Sequence, residues 1–244
     1  MTAYMRRDRR EKSFRRHPKK RYKKMKKYDD KEKKAKEKNP VKAENKGLYI
    51  VISGPSGSGK STVIQALLQA RPSLVKSVSV TTRPPRGGER DGEHYYFKTL
   101  REYQQMIADG AFLETAEVYT NFYGTPKDKI LELVGNGADV IGELDTMGAR
   151  QIKKSYPESV RIFIMPSSFH ILHERLKKRG TEDDESLKRR VESARKELSE
   201  YHTYDYLVYN DDLEKARDEI FNIISAEKNR IARHEKEIKT MLTI

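Results

Sequence analysis

The sequence predicts an α/β fold, a mainly parallel sheet flanked by helices, and three observations predict it. Strand-like and helix-like stretches alternate along most of the chain. The run Leu48-Tyr-Ile-Val-Ile-Ser53 is apolar throughout, as a parallel strand covered on both faces must be. Directly behind it a glycine-rich turn, Gly54 to Ser61, opens into a helical pattern.

The chain has 244 residues with 35% hydrophobic content, low for a wholly folded protein. Its net charge of +14 is confined to one end. Residues 1–46 carry 21 basic and 7 acidic side chains, and the remaining 30 basic and 30 acidic residues cancel. This first segment has no apolar periodicity that could bury a core, so it reads as a basic, disordered or partly helical arm. Such an arm is either a solubilising tail or a weak, salt-sensitive binder of polyanions, with Tyr4, Phe14, Tyr22 and Tyr28 available for stacking on bases. No cysteine is present, which excludes disulfides, thiolate metal sites and cysteine nucleophiles. The basic start has no apolar stretch behind it, and no run approaches the roughly 20 apolar residues of a membrane span. The expectation is a cytoplasmic protein.

The elements follow in order. Ser61–Ala70 has helical spacing, and Leu74–Thr82 looks extended. Arg83 to Gly92 is irregular and rich in Pro, Gly and Arg. Tyr95–Phe97 and Phe112–Val118 read as short strands around a helix at Thr99–Asp109. Pro126–Gly135 reads as a helix with proline in its first turn. Ala138–Leu144, Val160–Met165 and Tyr206–Tyr209 are further short strands, each followed by a helical pattern. Leu213–Leu242 reads as one long charged helix whose end projects or meets a partner subunit, which leaves room for a homo-oligomer.

Gly54-Pro55-Ser56-Gly57-Ser58-Gly59-Lys60-Ser61 matches G-x-x-x-x-G-K-[ST], between a buried strand and a helix. Glycines let backbone N–H groups converge on phosphate oxygens, and the helix start adds its positive dipole end. Lys60 supplies a charge to the β and γ phosphates, and Ser61, followed by Thr62, a ligand for Mg²⁺. A P-loop NTPase-type core binding a nucleoside triphosphate with Mg²⁺ follows. GTPases, ATPases and small-molecule kinases all share this loop. Asp145 to Gly148 even reads Asp-x-x-Gly, but no Asn-Lys-x-Asp base-reading motif follows it.

A second phosphate site is suggested by Ser79-Val-Ser-Val-Thr-Thr-Arg83-Pro-Pro-Arg86-Gly-Gly-Glu89-Arg-Asp-Gly-Glu-His-Tyr95, where arginine forks and a phenol cluster on a turn-rich segment. Here the chain closely resembles the guanylate kinase family, from about Gly47 to Glu227. The resemblance implies that Ser79, Arg83, Arg86, Glu89 and Tyr95, joined by Tyr123, bind the phosphate of GMP. It implies that Glu114 reads guanine, with Thr125 and Asp145 beside it. A carboxylate offers two acceptors to the adjacent N1–H and N2–H₂ donors of guanine, whereas adenine presents a lone pair at N1. Arg175 and Arg179 match lid arginines near the ATP phosphates, Arg190 matches an arginine across the transferring group, and Asn210 matches a residue near adenine. Where the family commonly has Asp-x-Asp, this chain has Glu143-Leu-Asp145, the first acid longer by a methylene at a position the resemblance gives to GMP or Mg²⁺ positioning.

The implied organisation is a guanylate-kinase-like domain at 47–244. It comprises a core at 47–82 and 126–244, a mixed α+β GMP-binding insert at 83–125, and a helical lid at about 175–195. The implied reaction is reversible transfer of the ATP γ-phosphoryl group to GMP in purine nucleotide recycling. A catalytically inactive interaction module of the same fold is the alternative, although such modules typically lose the phosphate loop. Singly, the residues have plainer readings: Arg175, Arg179 and Arg190 as solvated helix faces, Tyr95 and Tyr123 as core aromatics, Glu114 as the exposed face of an edge strand.

Overall fold

The computed structural model describes residues 47–118, 120–178 and 184–242. The basic arm, Arg179 and the middle of the expected lid lie outside the described residues. Among the described residues, nine strands form two sheets: β1 (Tyr49–Ser53), β2 (Val75–Lys76), β3 (Val80–Thr81), β4 (Tyr96–Phe97), β5 (Phe112–Val118), β6 (Asn121–Pro126), β7 (Val140–Glu143), β8 (Val160–Met165) and β9 (Tyr206–Tyr209). The helices among the described residues are α1 (Lys60–Ala70), α2 (Leu100–Ala108), α3 (Lys127–Gly135), α4 (Thr146–Ser155), α5 (Phe169–Lys178), α6 (Asp184–Leu198), α7 (Leu213–Lys228) and α8 (Ile231–Leu242).

The larger sheet has the order β2-β7-β1-β8-β9, and every pairing in it is parallel. Strand β1 lies at its centre with all five residues buried, as its apolar run predicts. Alternate side chains enter different cores. Ile50 and Ile52 pack with Val63, Ile64 and Leu67 of α1 and Ile220 and Ile224 of α7, while Tyr49 and Val51 pack with Ile130 and Val134 of α3 and Ile152 of α4. The carboxyl ends of β1, β7, β8 and β9 therefore share one edge, where open α/β sheets place their ligands.

The smaller sheet has the order β4-β3-β6-β5. The stretch expected to be one extended segment at Leu74–Thr82 is divided: β2 joins the large sheet and β3 the small one. Strand β6 was not expected, because Asn-Phe-Tyr-Gly-Thr-Pro carries three turn-favouring residues. Antiparallel pairing with β5 supplies the hydrogen bonds that local propensity does not favour, and Gly124 is needed where Phe112 crosses, since a Cβ there would lie 2.7 Å from the Phe112 ring. Pro126 consequently ends β6 and is the N-cap of α3, not a first-turn residue. Thr99 starts α2 through a capping box with Glu102.

The expected single C-terminal helix is two helices. Asn229 C-caps α7, and α8 restarts at Ile231. Helices α5 and α6 form a hairpin with its own apolar seam of Leu172, Leu176 and Ala194. Among the described residues, no helix is long and apolar enough to cross a membrane.

Candidate active site

The phosphate loop leaves the end of β1 and enters α1 without a side-chain cap. Gly59 is the N-cap at φ 88°, so the first-turn amides of Lys60, Ser61 and Thr62 point outward as an anion-binding helix end. Gly54, at φ 148°, passes so near β8 that a Cβ would lie 2.0 Å from the Ile164 carbonyl oxygen. Lys60 Nζ donates to the carbonyls of Gly54 (2.7 Å) and Pro55 (3.2 Å), which folds its ammonium back across the loop.

Three separate elements hold the loop from outside. Leu172 and Leu176 of α5 close over Gly57, where a Cβ would meet Leu176 at 3.0 Å. Asn210, buried at the end of β9, donates from Nδ2 to the Ser58 carbonyl at 2.8 Å and lies against Gly59. Its side-chain amide thus supports the loop's backbone. Arg175 Nη2 donates to the Asn210 carbonyl at 2.7 Å, which joins the α5–α6 pair to the same support. The third contact comes from α6, where Glu197 Oε2 accepts the Ser56 N–H at 2.7 Å.

Glu143 ends β7 beside β1, in register with Ile52. The exposed Ser61 hydroxyl donates to Glu143 Oε1 at 2.6 Å, so the extra methylene relative to aspartate is used to reach the phosphate loop. A hydroxyl beside a carboxylate is a hard-oxygen pair suited to Mg²⁺. No group of three or more His, Asp or Glu among the described residues could hold a metal by itself. A cation here would share phosphate oxygens and water, the usual arrangement for Mg²⁺.

Two residues further on, Asp145 N-caps α4, accepting the Gly148 N–H at 2.7 Å. The Asp-x-x-Gly pattern is therefore a helix start. Gly148 in turn admits Glu114, since a Cβ there would lie 3.1 Å from Glu114 Oε2. Glu143-Leu-Asp145 thus links the phosphate loop at one end to the surroundings of Glu114 at the other.

Glu114 is not on an exposed face. It is 5% exposed, and its Oε1 accepts the hydroxyl of the fully buried Thr125 opposite it on β6, at 2.7 Å. Burial pushes its carboxyl up to about 7, helped by the nearby charge of Asp145 and opposed by the Thr125 hydrogen bond. The backbone around it is fixed by α4: Gln151 exchanges two hydrogen bonds with Thr115, at 3.0 and 2.7 Å, and Ser155 donates to the Leu113 carbonyl at 2.6 Å. A register shift in β5 between Phe112 and Glu114 falls at the same place.

The arginine segment precedes β4. Arg83 is buried and makes a fork-to-fork pair with Glu89, Nη1 to Oε2 at 2.9 Å and Nη2 to Oε1 at 2.8 Å. Glu89 also accepts the Arg86 N–H at 2.8 Å, and these bonds, the Arg83 fork first, draw its carboxyl down to about 2. Glu89 therefore fixes the turn and the guanidinium, while the Arg86 side chain extends into solvent. The Arg83 guanidinium lies 5.4 Å from the centre of the Tyr95 ring, and Tyr95 meets Tyr123 edge-on at 6.0 Å. Tyr103 donates to the Tyr123 carbonyl at 2.7 Å. Ser79 accepts the Tyr96 N–H through its carbonyl, ahead of β3. Tyr95 and Tyr123 are half-buried around one arginine, not sealed in a core.

Among the described residues, the phosphate loop, Glu143, Asp145, Arg175 and Asn210 gather at the carboxyl edge of the large sheet, while Arg83, Glu89, Tyr95, Glu114, Tyr123 and Thr125 lie on or beside the small sheet. Arg190 lies half-buried on α6. Sequence reasoning missed Gln151, Ser155 and Glu197, ordinary helix residues whose partners are distant in the chain and which match no motif. It also missed Tyr49, a fully buried phenol directed over Gly142, which its apolar strand context disguised.

A family model described as guanylate kinase matches residues 46–227. The guanylate kinase from Carboxydothermus hydrogenoformans is 49% identical over 184 residues, covering 75% of this chain and 90% of its own. That from Clostridium tetani is 50% identical over 188 residues, covering 77% and 90% respectively. The crystal structure of guanylate kinase from Anaplasma phagocytophilum superimposes with a TM-score of 0.62 at 36% identity, covering 77% of this chain and 89% of that one.

Proposed function

The chain belongs to the guanylate kinase family, and from that premise we propose that it is a nucleoside monophosphate kinase transferring the γ-phosphoryl group of ATP to GMP, giving ADP and GDP. The observation that carries the reading is the joining of two sites by one short segment. Glu143 is hydrogen-bonded to Ser61 of the phosphate loop, and Asp145 flanks the buried Glu114–Thr125 pair.

In this reading the amides of the loop and the α1 N-terminus hold the donor phosphates, and Lys60 exchanges the Gly54 and Pro55 carbonyls for phosphate oxygens. Mg²⁺, held by Ser61 with Glu143 behind it, would neutralise charge on the β and γ phosphates. Arg83, Arg86, Tyr95, Tyr123 and Ser79 take the GMP phosphate, with Glu89 fixing the Arg83 fork. Arg175, Arg179 and Arg190 contribute positive charge where the equatorial phosphoryl oxygens become more negative. Glu114 accepts from guanine N1–H and N2–H₂, and Thr125 and Asp145 complete that end. No covalent intermediate on the protein is required, because positioning two nucleotides in line and shielding them from water supplies the acceleration.

The experiment that tests this is ADP formation from MgATP with and without GMP. GMP-dependent turnover is expected. ATP-binding protein with no GMP-dependent turnover would replace this reading with that of an inactive interaction module. The absence of cysteine and the use of ATP fit work in the cytoplasm. The net charge of residues 1–46 serves either as a solubilising tail or as a separate, weak affinity for polyanions.

A further inference from the structure

The phosphate loop has one contact that nucleotide binding does not explain. The amide of Ser56 donates to the carboxylate of Glu197 at 2.7 Å, across 141 positions of sequence. A P-loop amide is ordinarily a donor for phosphate, so a carboxylate on one either competes with the triphosphate or ties another element to the loop. The position of the bond decides between these. Ser56 stands early in the loop, inside the turn that the Ser58 N–H closes by donating to the Pro55 carbonyl at 3.1 Å. The amides that converge at the helix dipole belong to Lys60, Ser61 and Thr62, at the other end. Glu197 therefore takes a donor remote from the helix start.

Glu197 is also held from its own side. Ser193 Oγ donates to Glu197 Oε1 at 3.2 Å, one helical turn away. Between them Ala194 is fully buried in the seam against Leu172 and Leu176, the residues that close over Gly57. Arg190 and Glu197 stand seven residues apart in the unbroken helix α6, and two turns of helix return them to nearly the same face. The face that meets the phosphate loop at Glu197 is thus the face that carries Arg190.

We infer that Glu197 is a positioning residue, whose carboxylate ties α6 to the Ser56 amide and so sets where Arg190 stands relative to the phosphate loop. The inference rests on the phosphotransferase reading for its kinetic consequence, but the tie itself is independent of activity. A glutamine at 197 retains an oxygen acceptor for the Ser56 N–H while removing the charge, and an alanine removes both.

The test compares the full chain with its Glu197→Ala and Glu197→Gln variants by two readouts. One is amide hydrogen exchange across residues 54–60, and the other is initial-rate kinetics with MgATP and GMP. Glu197→Ala is expected to speed exchange at the Ser56 amide and lower kcat about tenfold, with KM for GMP unchanged. Glu197→Gln is expected to restore most of both. Unaltered exchange at Ser56 in the alanine variant would overturn the inference whatever the enzyme's activity. So would tighter ATP binding in both variants, which would make Glu197 a competitor of the triphosphate. A wild-type protein without GMP-dependent turnover would instead refute the phosphotransferase reading, and the exchange measurement would still decide whether the tie exists.

Discussion

At the scale of single residues, Glu114 carries the greatest tension. A buried carboxylate is costly, and its pKa of about 7 reports that cost. Because the folded value is raised above the ordinary 4.5, the folded chain holds this proton more tightly than the unfolded chain. Stability contributed by the protonated acid is thus full below about pH 4.5 and is lost as pH rises through about 7. Glu114→Gln should therefore stabilise the free protein at pH 8, on the order of 2 kcal/mol, and the gain should vanish near pH 5, as thermal unfolding at the two pH values can check. The same substitution should harm the reaction. An amide offers guanine one acceptor in place of two, so kcat/KM for GMP should fall by roughly 30-fold or more and the preference over AMP should erode. In the parent protein, kcat/KM for GMP should decline as pH falls below about 7, through loss of the carboxylate form. That part of the decline should be missing in Glu114→Gln.

At the scale of elements, the site depends on helices that place residues they do not themselves contribute. Helix α4 holds β5 on both sides of Glu114, through Gln151 on Thr115 and Ser155 on the Leu113 carbonyl. Replacing Gln151 with Leu leaves two backbone groups without partners. It should raise KM for GMP several-fold with a smaller change in kcat, the pattern of a displaced binding residue. The phosphate loop tolerates even less. Gly54→Ala would drive a Cβ to 2.0 Å from the Ile164 carbonyl at a φ of 148°, and should cost about 3 kcal/mol or more in a denaturant titration. These contrasts also separate what the sequence discloses from what it conceals. The loop is legible because its chemistry needs contiguous glycines between a strand and a helix, and Leu48–Ser53 is legible because burial on both faces demands an apolar run. Strand β6 is hidden because its glycine and proline are tolerated only through pairing with β5. Gln151, Ser155 and Glu197 are hidden because nothing local marks a polar residue on a helix as a partner for a distant backbone amide or carbonyl. The division at Asn229 was overlooked because charged helical spacing continues across it, and only the cap marks the break.

At the scale of the whole molecule, the chain separates by charge into a neutral catalytic region and an arm with all of the net +14. Deleting residues 1–46 should leave kcat and both KM values within about twofold, since every site residue described lies beyond Leu48. The deletion should abolish any binding to RNA or heparin, whose affinity in the full chain should fall steeply with salt. Persistence of that binding after deletion would place the polyanion site elsewhere. Within the catalytic region Glu143-Leu-Asp145 reaches Ser61 at one end and borders Glu114 at the other, and in the proposed reading this segment joins two nucleotide sites. The most direct test of that two-site account is the initial rate of ADP formation from MgATP with GMP, with AMP, or with neither. The account predicts turnover that depends on GMP and is at least 30-fold weaker in kcat/KM with AMP, as roughly expected when a buried carboxylate faces a lone pair. Equal rates with GMP and AMP, or a rate indifferent to either, would contradict it.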